Sequence, residues 1–179
     1  KRNYALKLAG GRLQAEFDVA GATGAVLTAP ARNALVADTW SHVAMSYTGA
    51  ASPKLALFVN GQLVASTTPS QQPLTAANGL VSTKVGKNFA GLIDDLRVWN
   101  GARSELQLNA AKDAILNGDE AGLVAYYRFD DADAARTGLH SDAVADSAQA
   151  SANDWLNDWA NAARLVGTAT VIDDLDSPV

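Results

Sequence analysis

Asn60-Gly61 stands between two alternating apolar runs, residues 54–59 and 62–66, and nothing else in the chain narrows the fold as far. The dipeptide marks a type I′ turn, whose two central residues both need positive φ, and such a turn joins antiparallel strands. Leu55, Leu57 and Val59 alternate with Ala56 and Phe58, and Leu63 and Ala65 with Val64, the period of a strand. Gly10-Gly11 repeats the device between residues 4–8 and 12–18. Further short strands are expected at residues 25–28, 40–47, 81–86, 91–100, 123–129 and 164–172. In the run that begins at Trp40, the face holding Val43, Met45 and Tyr47 is the more apolar and is expected to meet the core. Some ten short strands with turn residues between them predict an all-β antiparallel sandwich.

One helix interrupts this series. Ser104 can cap a helix over residues 105–117, with Leu106, Leu108, Ala111, Ile115 and Leu116 near helical spacing and Gly118 just past its end. Residues 67–79 form an uncharged loop with two prolines. Residues 130–154, rich in Ala, Asp and Ser, read as a long loop, 155–165 as a second short helix, and 173–179 as an acidic tail. The main sandwich is therefore placed at residues 1–129. Residues 130–179 either complete it or begin a following unit.

Composition removes several classes of function. With 179 residues, 48% hydrophobic and 18% charged, the chain has the makings of one proper core. A net charge of −5 is the wrong sign for a phosphate backbone or an anionic membrane surface. There is no apolar run of membrane-spanning length. The absence of cysteine removes disulfides and thiolate metal sites and is compatible with export. The chain opens on Lys1-Arg2-Asn3 without a leader and reads as a cut from a longer polypeptide.

Three segments, in order, resemble a known family. They are Trp40-Ser41-His42-Val43-Ala44 with Tyr47-Thr48-Gly49; then Leu57-Phe58-Val59-Asn60-Gly61-Gln62; then Val85-Gly86-Lys87-Asn88 with Gly91-Leu92-Ile93-Asp94-Asp95-Leu96-Arg97-Val98-Trp99-Asn100 and Ala102-Arg103-Ser104. Together they resemble the bacterial laminin-G-like (LamG) domains, jelly rolls of the concanavalin A-like lectin and glucanase kind, related to the pentraxins. The resemblance implies a non-catalytic, extracellular recognition module that binds glycan or a cell-surface partner, with calcium as the candidate ion. A spacer domain in a large surface protein or adhesin is the alternative, and a glycan-active enzyme a third reading. Such domains start with a strand pair ahead of the position of Lys1. The incomplete N-terminal edge is therefore expected to associate with another chain or a neighbouring domain.

The residues themselves argue against catalysis. Glycoside hydrolysis needs two carboxylates roughly 5–9 Å apart, and the only glutamates, Glu16, Glu105 and Glu120, fall in no paired pattern. Neither a nucleophile elbow nor a transition-metal cluster is visible. Asp94 and Asp95 would point to opposite faces of a strand. One of them would then face inward and need Arg97, Arg128 or calcium beside it, which makes Asp94 and Asp95 the candidate metal ligands. The acidic run at Asp130, Asp131 and Asp133 lacks the glycine and the final acid of an EF-hand loop. For ligand binding the candidates are Gln71, Gln72 and Asn88 in loops, and Trp155 with Trp159, four apart on the expected second helix.

Overall fold

The computed structural model describes residues 4–19, 22–49, 51–73 and 85–128, and the backbone of 143–144 and 163–164. Among these residues ten strands and one α-helix alternate with turns, and every strand pairing is antiparallel. The chain packs as two compact units that interleave in sequence: residues 1–81 with 101–114, and residues 82–100 with 115–179.

The first unit is built from two three-stranded meanders. Strands β1 (Ala5–Ala9), β2 (Arg12–Val19) and β3 (Ala22–Thr28) form one sheet. The Gly10-Gly11 turn, with φ of 57° and 73°, joins β1 to β2 as the sequence predicts. Strands β4 (Val43–Tyr47), β5 (Leu55–Val59) and β6 (Gln62–Thr67) form the other sheet, and Asn60 and Gly61 carry the expected positive φ of 50° and 76°. Leu13, Ala15, Phe17 and Val19 of β2 meet Leu55 and Leu57 of β5, and Val43, Met45 and Tyr47 pack against them from β4. Each large apolar side chain buried here stabilises the unit by about 1.5–3 kcal/mol. Ala56 and Phe58 are buried as well, so β5 is covered on both faces. Its uninterrupted apolar run is the sequence mark of such a strand.

Helix α1 (Glu105–Ala111) belongs to this unit. The Ser104 hydroxyl accepts the Gln107 N–H while the Gln107 side chain accepts the Ser104 N–H, a reciprocal cap. The Glu105 carboxylate accepts the N–H of Leu63 at 3.2 Å, tying the start of α1 to β6. The helix is shorter than the expected 105–117. Asn117 and Gly118 give their N–H groups to the Glu120 carboxylate, at 2.8 and 3.0 Å, instead of to carbonyls one turn back.

The second unit holds β7 (Leu96–Trp99) paired with β8 (Leu123–Tyr127), and β9 (Ala143–Val144) paired with β10 (Ala163–Arg164). Leu123 and Tyr126 are buried together, with Trp99 and Leu116 against them. The strand expected from Gly91 begins only at Leu96. Asp95 adopts a left-handed φ of 52°, and its N–H is accepted by Asp94 Oδ1 at 2.9 Å. That local bond removes the amide from any ladder. Arg164 is in a strand, as expected for the start of the 164–172 run, Ala163 is in that strand where the second helix was expected, and Ala143 and Val144 are in a strand within the expected loop. The remainder of the 155–165 helix and of the 164–172 strand lies outside the described residues.

Candidate functional site

One end of the first unit gathers aromatic and amide groups at the surface. Tyr47 closes β4 with its ring edge-on to buried Phe17, centroids 5.7 Å apart. Tyr4, just ahead of β1, has its ring centroid 6.5 Å from that of Tyr47, the two rings tilted by 45°. Tyr4 is 50% exposed. Burial and the neighbouring Tyr47 phenol both push the Tyr4 hydroxyl above its ordinary pKa. The Tyr47 hydroxyl donates to the side-chain carbonyl of Gln72.

The chain brings these groups together by local means. Gln71 and Gln72 stand exposed in the loop that leaves β6, between two buried prolines, Pro69 and Pro73. Proline fixes φ and gives up no buried donor, so the prolines anchor this loop while the amides stay outside. The neighbouring β4–β5 loop is pinned by Thr48, whose hydroxyl donates to the carbonyl of Ser52 and accepts the Lys54 N–H at 3.0 Å. A tilted aromatic pair beside an amide can take the apolar face of a ring-shaped polar ligand and bind its hydroxyls.

Of the residues picked out in the sequence, Gln72 joins this cluster, and Gln71 is next to it in the same loop. Asn88 belongs to the second unit, exposed in a turn where it has a φ of 56° and where Phe89 N–H donates to Gly86 O at 3.1 Å. Trp155 and Trp159 lie outside the described residues. Sequence reasoning did not single out Tyr4 and Tyr47 because alternation assigned them to strand faces. The available signal was that each sits at a strand terminus, where an aromatic body can be packed while its hydroxyl reaches solvent.

Asp94 and Asp95, the candidate metal ligands, have other partners. Asp95 Oδ2 pairs with Arg97 Nη2 at 3.0 Å, and Asp95 Oδ1 accepts the Tyr126 hydroxyl at 2.7 Å. The Arg97 guanidinium lies over the Tyr126 ring, 5.2 Å from its centroid. With one Asp94 oxygen held by the Asp95 amide, a single carboxylate oxygen of the four is left over. Calcium takes six to eight oxygen ligands, and the described residues contain no cluster of three or more His, Cys, Asp or Glu able to hold a metal ion. As placed, this pair does not fit calcium. Arg97 supplies the positive charge that the sequence reading required there.

The glutamates are also engaged. Glu16 is 4% exposed and pairs with Lys7 at 2.7 Å. Glu105 accepts the Leu63 amide, and Glu120 accepts those of Asn117 and Gly118. Burial alone would raise the Glu120 pKa. The backbone donors and the charge of Arg97 outweigh burial and hold it below the ordinary value.

Residues 1–109 match the family model described as the concanavalin A-like lectin/glucanases superfamily. Among solved structures, a Bacteroides ovatus protein titled "putative carbohydrate binding protein" superposes with a TM-score of 0.54 at 20% identity. The superposition covers 76% of this chain and 38% of that one, so the chain spans well under half of its structural neighbour. At that identity the likeness is one of fold. Comparison with curated proteins gave no match.

Proposed function

We propose that this chain, which belongs to the concanavalin A-like lectin/glucanases superfamily, is a glycan-recognition module without catalytic activity, working outside the cell. The observation that carries the reading is the half-exposed Tyr4 ring beside part-buried Tyr47, with the exposed Gln72 side chain bonded to the Tyr47 hydroxyl. The rings offer an apolar platform for a sugar face. Gln72, with its carbonyl taken by Tyr47, keeps its amide donors for a hydroxyl.

The contacts of the three glutamates support a non-catalytic role. A general acid or nucleophile must face the substrate, whereas Glu16 is buried in an ion pair and Glu105 and Glu120 tie down backbone amides. The carbohydrate-binding title of the structural neighbour points the same way.

A glycan array probed with the purified, folded chain, once with millimolar calcium and once with EDTA, tests the reading. Binding that Tyr4→Ala and Gln72→Ala both weaken, with no release of reducing ends from the bound glycan, is the expected result. Binding in both conditions sets calcium aside, and binding lost in EDTA places an ion elsewhere in the chain. Silence from folded protein in both conditions would remove the glycan reading and leave the spacer role.

A further inference from the structure

The chain contains four Asn-Gly dipeptides, at residues 60–61, 78–79, 100–101 and 117–118. This is the sequence in which an asparagine side chain most readily cyclises onto the following amide, because glycine places no side chain beside the attacking nitrogen and leaves the backbone free to turn. Three of the four lie among the described residues, and the structure treats them differently.

Asn60 is held at both ends. Its Oδ1 accepts the His42 N–H at 3.0 Å, and its own N–H donates to His42 O at 2.8 Å. Its Cγ cannot approach the Gly61 nitrogen without releasing His42. At Asn117-Gly118 the nucleophile itself is restrained, since the Gly118 amide, in a buried glycine, donates to Glu120 Oε2 at 3.0 Å while Oε1 takes the Asn117 amide.

At Asn100-Gly101 neither the asparagine side chain nor the glycine amide has such a hydrogen bond among the described residues. Both residues are exposed. The Asn100 backbone N–H is fixed to Gly122 O at 2.9 Å, but its side chain lies against Gly122 without a hydrogen bond of its own among the described residues. Around Gly101 the space is open, with nothing within 4 Å of where a Cβ would stand.

We propose that Asn100 is a site of spontaneous deamidation in the folded protein. The Gly101 backbone nitrogen loses its proton and attacks Asn100 Cγ. The new C–N bond closes a succinimide, the Cγ–Nδ2 bond breaks, and ammonia leaves. Water then opens the ring at one carbonyl or the other, giving aspartate or isoaspartate. Either product adds a negative charge to a chain of net −5, and the second also adds a methylene to the main chain just past β7.

The test is to incubate the folded chain at mildly alkaline pH, digest it, and follow aspartate and isoaspartate at each Asn-Gly by mass spectrometry, with a parallel incubation in denaturant. Unfolded, the sites share one local chemistry and convert at similar rates. Folded, Asn100 is expected to keep a rate close to its unfolded one. Asn60 and Asn117, which must first give up native hydrogen bonds, are expected to slow by about tenfold or more. Gly101→Ala, whose methyl meets nothing, should slow Asn100 and leave the melting temperature unchanged. Conversion of Asn60 or Asn117 as fast as Asn100 in the folded chain would overturn the proposal. So would strong protection of Asn100 on folding.

Discussion

Tyr126 donates its hydroxyl to Asp95 Oδ1 across 2.7 Å, and through that bond a buried tyrosine of β8 holds a residue whose backbone has left the strand. Arg97 closes the arrangement, pairing with the other Asp95 oxygen and covering the Tyr126 ring. Tyr126→Phe should therefore cost about 1–3 kcal/mol, since the ring stays and a part-buried carboxylate oxygen loses its donor. Urea unfolding monitored by tryptophan fluorescence would measure it. An unchanged midpoint would mean that water replaces the hydroxyl at no cost.

Substitution of Asp95 separates charge from backbone. Asn tolerates positive φ far better than Ala does. Asp95→Asn should thus keep an acceptor for Tyr126 while losing the charge and the hydrogen bond of the Arg97 pair, and Asp95→Ala should cost about 1–2 kcal/mol more through its backbone and the lost Tyr126 acceptor. Equal losses for the two variants would show that the φ of 52° at this position carries no stability.

Stability should fall at both pH extremes for different reasons. Burial first, and then the hydrogen bond and charge of Asp95, raise the Tyr126 pKa. A folded pKa above the unfolded one favours the protonated phenol, so this contribution is complete below about pH 10 and is lost as pH rises through the folded value. Glu120 has the opposite sign. Its folded pKa is lowered, so its contribution is present above the unfolded value and is lost as pH falls through the folded one. Glu120→Gln should flatten the acid side and Tyr126→Phe the alkaline side. A variant that changed the other side instead would contradict the assignment.

The two glycine turns differ in what surrounds them. At Gly61, with φ of 76°, an added Cβ would come within 2.8 Å of the Asn109 backbone on α1, whereas at Gly10, with φ of 57°, it would meet nothing within 4 Å. Gly10→Ala should cost about 1 kcal/mol, the left-handed penalty alone. Gly61→Ala should cost roughly 2–4 kcal/mol, because overpacking against α1 is added. Thermal melts of the two single variants decide this, and equal losses would mean that α1 moves aside freely.

For the proposed ligand site, Tyr4→Ala should weaken glycan binding by about five- to tenfold through loss of the ring face, with little change in melting temperature, because Tyr4 is half exposed. Tyr47→Phe keeps the ring against Phe17 and removes the hydroxyl that orients Gln72. A smaller loss of affinity is expected there. Isothermal titration with the best array ligand gives both numbers, and indifference to both substitutions would move the site elsewhere.

The readable parts of this fold were those encoded locally. Asn60-Gly61 and Gly10-Gly11 announced their hairpins because turn chemistry is a property of two adjacent residues, and the core face of β4 followed from the alternation of Val43, Met45 and Tyr47. What escaped the sequence depends on distant or competing partners. Nothing in the run around Asp94-Asp95 reveals that a side chain one residue back captures the Asp95 amide, so the run reads as an unbroken strand. Nor do the apolar positions before Asn117 reveal that Glu120 takes the amides a longer helix would need. Tyr4 and Tyr47 are 43 residues apart, and Gln72 meets Tyr47 from a third segment. Only the pairing of the sheets brings the three together.

The interleaving of the two units has a consequence for biogenesis. Residues 101–114 belong to the first unit but follow residues 82–100 of the second. On a ribosome the meanders β1–β3 and β4–β6 can form from neighbouring sequence as they emerge. The Leu63 amide, however, waits for Glu105, and by then the first strand of the other unit has already been made. Neither unit can be finished before the other has been started, so a nascent chain halted near residue 100 would present an open β6 border to its neighbours on the polysome.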